Sequence, residues 1–284
     1  LTVVMMVAEI AAGHITGSMA LLADGFHMAT HAGALGIAAA AYAYARKHSA
    51  SSFSSFGTGK VGDLGGFASA LILGLISLGI GIESVLRLLE PTQVQFGTAT
   101  MIAISGLIVN VVSALLLAGG SHHHDHGHGH SHSHSHGPHG HRHGEDNNLR
   151  SAYVHVLADA VTSVLAIVAL LAGKFLGWVW LDPVMGLVGA VVIARWAWSL
   201  MKDTASVLLD KTDDHVAEEI RELLNHSGKL QITDLHVWRV GPDARAAIVS
   251  VTGSLDFTAD DIRAALTPIH EVVHLTVEYR AAAS

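Results

Sequence analysis

The amino-acid sequence predicts an α-helical membrane protein: a bundle of six transmembrane helices followed by a small α+β (αββαβ) cytoplasmic domain. Half of the 284 residues are hydrophobic and only 14% are charged, whereas soluble domains carry about 25% charge. Long apolar runs recur as far as residue 209, and mean hydropathy is +0.44. After Asp210 the pattern changes to short amphipathic segments. We therefore expect a transmembrane domain over residues 1–210 and a cytoplasmic domain over residues 211–284.

Six apolar runs are the candidates for membrane spans. A helix needs about 20 mostly apolar residues to cross a bilayer, and buried core helices of a soluble protein would rarely follow one another in six such runs. The runs are rich in Gly, Ala and Ser, which let membrane helices pack closely. The first is short, and we expect it to be truncated. They cover approximately residues 1–13, 18–45, 61–89, 97–118, 152–175 and 181–209.

The distribution of Lys and Arg predicts the orientation, because cytoplasmic loops carry an excess of both. One side of the predicted bundle has only Arg87 and Lys174. The other side includes both termini and is the more basic. We expect that side to face the cytoplasm, in a multi-pass protein of the bacterial inner membrane. Its basic residues are Arg46, Lys47, Lys60, Arg142, Arg150, Lys202 and Lys211.

The segment after residue 210 alternates in a way typical of a small sandwich of helices on one face of a sheet. Helices are predicted over residues 215–225 and 258–269, the second with Thr258 as its N-cap before two aspartates. Strands are predicted over residues 235–240, 246–251 and 272–279. The order is therefore αββαβ.

Composition restricts the chemistry of any site. The net charge of −8 argues against binding nucleic acid, which basic patches recognise. There is no cysteine, so thiolate ligands and disulfides are excluded. The 22 histidines point instead to a metal held by His, Asp or Glu.

The strongest pattern lies within the apolar runs. His27 and His31 stand at i and i+4 in the second, and His155 and Asp159 at i and i+4 in the fifth. This spacing places both members of a pair on one helix face. Three imidazoles and one carboxylate suit a tetrahedral Zn2+-like ion, and ionisable groups inside a membrane indicate function. The alternative is interhelical hydrogen bonding by isolated polar residues.

Other polar residues lie near these pairs. Asp24 is three residues before His27, and we interpret it as a residue that supports the ligands or lines the ion path. Glu9, His14 and Asn110 are interpreted as packing or hydration features rather than ligands.

A low-complexity segment over residues 120–148 is predicted to be a disordered cytoplasmic loop, because it has almost nothing apolar to bury. It offers weak, multivalent metal capture rather than a defined site. Its histidines are His122, His123, His124, His126, His128, His130, His132, His134, His136, His139, His141 and His143. In the cytoplasmic domain, a regulatory metal site and ordinary surface residues stay equal alternatives for His236, His270, His274 and Glu278.

Four motifs together resemble the cation diffusion facilitator family, whose members exchange divalent metals for protons. The resemblance covers nearly the whole chain. The motifs are SMALLADGFHM at residues 18–28, FGTGK at 56–60, HVLAD at 155–159 and DLHVW at 234–238. It implies His27, His31, His155 and Asp159 as transport ligands, a homodimer paired through the cytoplasmic domains, and a charge interlock between Lys60 and Asp210. For that last pair, two interfacial charges contacting lipid headgroups are the alternative.

Two positions depart from the family pattern. Zinc-type members have Asp where this chain has His31, so the site resembles the cobalt- and nickel-exporting branch. Ligand type alone does not exclude zinc, because the usual affinity order places Zn2+ above Co2+. Ser250 stands near a position that is often His, which weakens the case for a complete regulatory site.

The sequence therefore predicts proton-coupled efflux of Co2+ or Ni2+, with Zn2+ or Fe2+ as further candidates, by a secondary transporter rather than an enzyme. The metal is cargo, and no cofactor is expected beyond it; the partners are metal ions, protons, the lipid bilayer and a second copy of the chain. The alternatives are a zinc-selective exporter, a metal importer with a His loop, a membrane metal sensor or buffer, and a His-box membrane metalloenzyme. Such enzymes carry several His boxes on helices, and the sequence has no HExxH zinc-protease motif.

Overall fold

The computed structural model describes residues 2–48, 55–119, 144–225, 230–254 and 257–281. Within these ranges, it leaves undescribed the side chains at positions 2, 31–32, 34–35, 38, 113–119 and 144–159. The described chain is helical and ends in a small three-stranded sheet, as the sequence predicts. It divides into two compact units, one of residues 1–33 and 73–196, the other of residues 34–72 and 197–284.

The helices before residue 210 follow the apolar runs closely. They are α1 Thr2–Thr16, α2 Met19–Lys47, α3 Val61–Leu89, α4 Phe96–Gly119, α5 Gly144–Leu176 and α6 Leu181–Leu208. The largest difference is in α5, which begins about eight residues before its apolar run. Its first turns include residues 145–148, which the sequence analysis assigned to the loop. An acidic Glu145 and Asp146 suit a helix N-terminus, because the helix dipole is positive there.

Two of these helices, α3 and α6, are by themselves long and apolar enough to cross a membrane. Shorter apolar stretches lie within α1, α4 and α5, at Val3–Thr16, Phe96–Val112 and Ala160–Leu176. The count covers only the described residues, so six crossings stay a prediction.

The exposed apolar side chains are concentrated on the helices before residue 210. Leu75 and Leu78 of α3 and Val191 of α6 are about 60% exposed, and many neighbours are similar. Among the described residues after Leu209, Val273 alone is a large exposed hydrophobic side chain. Apolar patches of this extent suit contact with lipid rather than water.

In the first unit, small residues bring the helices close together. A Cβ on Gly189 of α6 would collide with Ala23 of α2, and one on Gly13 of α1 would collide with Leu22. Larger side chains fill the remaining space, including the fully buried Leu21 and Leu170. Close backbone approach of this kind is how membrane helices associate without a hydrophobic driving force.

The second unit contains the C-terminal sheet. Its elements are α7 Asp214–Asn225, β1 Leu230–Gly241, β2 Ala244–Gly253, α8 Ala259–Leu266 and β3 Val272–Ala281. The strand order is β1-β2-β3, with β1 antiparallel and β3 parallel to the central β2. Ile220 of α7 and Ile262 of α8 are buried in one core with Val249. The predicted N-cap is confirmed, because Thr258 forms a reciprocal capping box with Asp261.

A partly buried ion pair joins the start of α7 to the sheet. Arg245 Nε donates to Asp213 Oδ2 at 2.9 Å, and the Val216 amide donates to Oδ1 at 3.3 Å. Partial burial raises the pKa of Asp213, but these hydrogen bonds and the charges of Arg245 and His215 outweigh it and lower the pKa below 3.8. Since the folded pKa is the lower one, the carboxylate stabilises the fold above about pH 4, and this contribution is lost as pH falls through the folded value.

Asp213→Asn is expected to lower the free energy of unfolding of this domain by about 1.5 kcal/mol at neutral pH, since a charge-assisted hydrogen bond is lost. The difference from wild type should shrink below about pH 4, where the wild-type carboxylate is also protonated. Hydrogen exchange of β1 and β2 amides in increasing urea, at about pH 7 and pH 3, measures both effects. Asp260→Asn is the control, because that carboxylate is exposed and forms a surface ion pair with Arg263. An undiminished difference at low pH would contradict the pKa shift as the cause.

Candidate metal-translocation site

The helices α2 and α5 carry the predicted ligands. Both ligand pairs lie within continuous helix, so His27 and His31 share one face of α2 and His155 and Asp159 share one face of α5. All four positions belong to the first compact unit. The His27 side chain is half-buried. Those of His31, His155 and Asp159 lie outside the described side chains.

A hydrogen bond joins α2 to α5 about one turn from both pairs. The hydroxyl of Ser163 donates to the carboxylate of Asp24, with distances of 2.9 and 3.1 Å to its two oxygens. Asp24 precedes His27 by three residues, and Ser163 follows Asp159 by four. Both side chains are buried, Asp24 at 7% and Ser163 at 1% exposure. The faces that carry the predicted ligands therefore adjoin a direct contact between the two helices.

The direction of the two helices follows from an apolar cluster to which both contribute. Leu21, one turn before Asp24, shares a buried cluster with Ile167 and Leu170, which lie beyond Ser163. Position along α2 therefore increases as position along α5 decreases, and the helices are antiparallel. In this register, the chain after Asp24 runs alongside the chain before Ser163, where the other pair lies. Among the described side chains, no three His, Asp or Glu residues form a metal-binding group, and three of the four predicted ligands are outside that set.

The carboxylate that caps α2 has no local signal in the sequence and was not predicted. Asp182, the second residue of α6, is fully buried. It accepts from the Ser18 hydroxyl at 2.6 Å and from the amides of Met19 and Ala20 at 2.8 and 3.3 Å. The Ser18 hydroxyl in turn accepts from the Leu21 amide. Asp182 thus satisfies the unpaired N–H groups at the N-terminus of the helix that carries His27.

Glu9 of α1 is a second residue whose environment the sequence does not predict. It was interpreted as a packing or hydration feature, yet its side chain is 0% exposed and neither carboxylate oxygen has a hydrogen-bond partner among the described residues. Buried polar groups are nearly always paired. The one sequence signal for Glu9 is its acidic character in an apolar run, and nothing local shows that it faces inward.

The structure brings Lys60 and Asp210 together. Lys60 Nζ, just before α3, donates to Asp210 Oδ1, just after α6, and both side chains are partly exposed. Asp210 has a positive φ of 53°, which is uncommon for a residue other than glycine. The segment leading to Lys60 also contacts the sheet, since the Phe56 ring packs edge-on against Trp238. Whether the pair interlocks the helices functionally stays a prediction.

Three candidate ligands of the C-terminal domain, His236, His274 and Glu278, lie on one face of the sheet but are not paired with one another across the strands. His236 pairs in register with Ile248, whereas Glu278 pairs with Ser250. His236 Nε2 is 3.0 Å from Asp234 Oδ1. The ring of His274 packs against Phe56. Each of these side chains therefore has a contact within the chain, and a regulatory metal site there stays a prediction.

Glu278 is the most firmly engaged of these candidates. Arg280 donates to it at 2.7 Å and Ser250 at 3.1 Å. These hydrogen bonds hold the pKa of Glu278 below its usual range.

The histidines of the predicted loop, from His122 to His143, lie outside the described residues.

Residues 1–209 match the family model of the cation efflux transmembrane domain. The chain belongs to the cation efflux family. These proteins, also called cation diffusion facilitators, are secondary transporters of metal cations, so the chain is a transporter and not an enzyme. The predicted resemblance is thereby confirmed at the level of the family.

Several curated members of the cation efflux family are similar over most of their length. The zinc transporter ZitB of Pectobacterium atrosepticum is 32% identical over 85% of this chain and 69% of its own. The metal cation efflux system protein CzcD of Cupriavidus metallidurans is 29% identical over 99% and 84%. The cadmium, cobalt and zinc/H(+)-K(+) antiporter of Bacillus subtilis is 30% identical over 83% and 70%.

Proposed function

We propose that this member of the cation efflux family exports a divalent transition-metal ion from the cytoplasm in exchange for protons. The ion binds His27, His31, His155 and Asp159. The hydrogen bond between Asp24 and Ser163 carries this proposal, because it joins α2 to α5 within one turn of both pairs. Four ligands from two adjacent antiparallel helices suit a small tetrahedral ion.

Proton exchange follows from the ligand chemistry. Metal binds neutral imidazole and ionised carboxylate, so binding releases protons. On the far side of the membrane, protons compete for the same nitrogens and oxygens, and the metal leaves. Helices that rock about a site between repeated halves would expose it to each side in turn. The antiporter from Bacillus subtilis, by its name, exchanges metal for H+ and K+, which supports the same direction of coupling here.

The identity of the metal is the finer part of the proposal. His31 adds a third imidazole, which favours softer ions such as Co2+ and Ni2+ over Mn2+. Similar proteins are named for zinc, or for cadmium, cobalt and zinc. A zinc-selective exporter is therefore the second candidate, and His31 is the residue that distinguishes the two.

Exchanging His31 for Asp is expected to shift the preference of the transporter from Co2+ or Ni2+ toward Zn2+ by about tenfold, or about 1.4 kcal/mol. Proteoliposome uptake of Co2+, Ni2+, Zn2+ and Mn2+ under an imposed pH gradient measures it. His14→Asp is the matched control, since His14 is exposed on α1. A wild type that prefers Zn2+, with a variant that matches it, would assign the chain to the zinc exporters.

The same assay separates the remaining alternatives. A sensor or buffer binds metal without moving it across the bilayer. An importer moves metal in the opposite direction when vesicles of known orientation are used. A His-box metalloenzyme would retain its metal as a cofactor and show no flux.

We further propose that both termini and the His-rich loop face the cytoplasm of a bacterial inner membrane. The basic residues near the predicted cytoplasmic ends, such as Lys47, Lys60 and Lys202, support this orientation. A homodimer through the C-terminal domain, residues 211–284, is proposed from the family resemblance. Labelling of single introduced cysteines in intact cells tests the orientation, which the natural absence of cysteine makes simple.

A further inference from the structure

Glu9 of α1 is tightly enclosed by α2 and α4, and its carboxylate has no hydrogen-bond donor among the described residues. Its Oε1 atom lies where a Cβ atom on Gly106 of α4 would stand, with the Met5 methyl close by. Its Cβ is 3.2 Å from the position of a Cβ on Gly25 of α2. Glycine at both positions is what allows a carboxyl group to fit between α1, α2 and α4. Both oxygens are buried, and neither has a hydrogen-bond partner among the described residues.

Of the two helices packed against Glu9, only α2 has charged or titratable residues. Helix α4, Phe96–Gly119, has no acidic or basic residue. On α2 the charged group that acts on Glu9 is Asp24, and His27 follows Asp24 by about one turn. On α1 itself the nearest titratable group is His14, which is exposed. No Lys or Arg of these three helices lies beside the carboxyl group, so no described cation neutralises it.

An ionised carboxylate in such a place is costly, since no donor among the described residues compensates for its lost hydration. Two events remove that cost. A proton can occupy the group, or a cation can come close enough to favour its ionised form. A divalent ion bound beside His27 lies on the same helix as Asp24, one turn away, and is such a cation.

We propose that Glu9 is a proton-binding residue of the exchange cycle, outside the four metal ligands and coupled to them through Asp24. The inference rests on the proposed metal–proton exchange and deepens it. When the metal site is empty, the carboxyl group of Glu9 carries a proton. When metal binds, its O–H bond breaks, the proton passes to water, and the carboxylate stays ionised in the field of the metal.

When the metal is released, the O–H bond of Glu9 forms again. A proton from the side to which metal is released binds a Glu9 oxygen, and the loss of this negative charge weakens the attraction for the bound ion. By linkage, metal lowers the affinity of Glu9 for its proton by the same factor that the proton lowers metal affinity. Glu9 therefore adds one proton per metal to those that the ligands themselves release.

Purified full-length protein is mixed with Zn2+ or Co2+ in weakly buffered solution, and a pH dye counts the protons released for each ion bound. Glu9→Gln is expected to release about one proton fewer than wild type and to bind the same number of ions. In proteoliposomes, its uptake should become less dependent on pH. Glu9→Asp should restore the missing proton. Asn110→Ala is the control, because Asn110 lies one helical turn after Gly106 on α4 and its side chain does not titrate.

Equal proton release by wild type and Glu9→Gln would overturn the proposal, and so would the loss of one bound ion from the variant, which would make Glu9 a ligand. A wild type that binds metal without releasing any proton would overturn the exchange function as well. Failure of the Glu9 proposal alone is therefore distinguishable from failure of the proposed function. If Glu9→Gln does not fold, infrared difference spectra of wild type and Glu9→Asp decide. Metal must remove a carboxylic-acid carbonyl band, and the band must shift in Glu9→Asp; a band that neither disappears nor shifts contradicts the proposal.

Discussion

Asp159→Ala is expected to reduce metal efflux by more than about a hundredfold while leaving the protein folded. Asp159 supplies the one anionic ligand of the proposed site. Loss of a residue that merely orients a ligand already costs 10- to 100-fold in metal affinity, so loss of the ligand itself should cost more. The two positive charges of the metal ion would then be coordinated by three neutral imidazoles alone, in a membrane interior that stabilises charge poorly. His155→Ala should behave similarly.

Uptake of Co2+ and Zn2+ by proteoliposomes under a pH gradient measures the loss, with size-exclusion profiles to verify folding. Glu90→Gln is the matched control, because that carboxylate is exposed just beyond the end of α3. It should transport at the wild-type rate. If Asp159→Ala exports metal normally, the assignment of the metal site is wrong, although the assignment to the cation efflux family still holds.

Asp182→Ala is expected to destabilise the protein by about 3 kcal/mol and to impair transport. The substitution leaves the Ser18 hydroxyl and the amides of Met19 and Ala20 without their acceptor in a buried place. A hydrogen bond contributes about 1 kcal/mol net to stability, so the loss of these three predicts about 3 kcal/mol. Asp182→Asn keeps one acceptor oxygen and should lose roughly half as much.

Thermal unfolding of the purified protein, followed by intrinsic tryptophan fluorescence, measures this effect. Glu83→Gln is a suitable comparison, because Glu83 forms a half-exposed i, i+4 ion pair with Arg87 on α3. Such pairs contribute less than about 1 kcal/mol. An unchanged unfolding temperature for Asp182→Ala would mean that α2 does not need this cap.

The sequence predicted those parts of the molecule that depend on local pattern. The bounds of α3 agree at both ends, since an apolar run sits between Gly57–Lys60 on one side and Pro91 on the other. The Thr258 cap was predictable because a capping box is complete within four residues. The pairing of His27 with His31 on one face follows directly from the helix repeat.

Contacts between segments that are distant in the sequence could not be predicted from local pattern. Asp182 lies more than 160 residues from Ser18, and nothing near Asp182 indicates which helix it meets. Glu9 is similar, because its burial depends on glycines of two other helices. The order αββαβ was predictable. The positions at which the histidines of the C-terminal domain pair across the sheet depend on strand register, which the sequence does not specify.

The glycine before Lys60 has a practical consequence for experiments that remove the C-terminal part of the chain. Gly59 rests so closely on the backbone of Val240 and Gly241 that a side chain of any size would not fit. Truncation after residue 210 would strip this support from the turn that leads into α3, so a truncated transporter reports on a loosened turn as well as on a missing domain. A bulky residue at position 59 would lift the turn from the sheet and leave the domain in place, which separates the two effects.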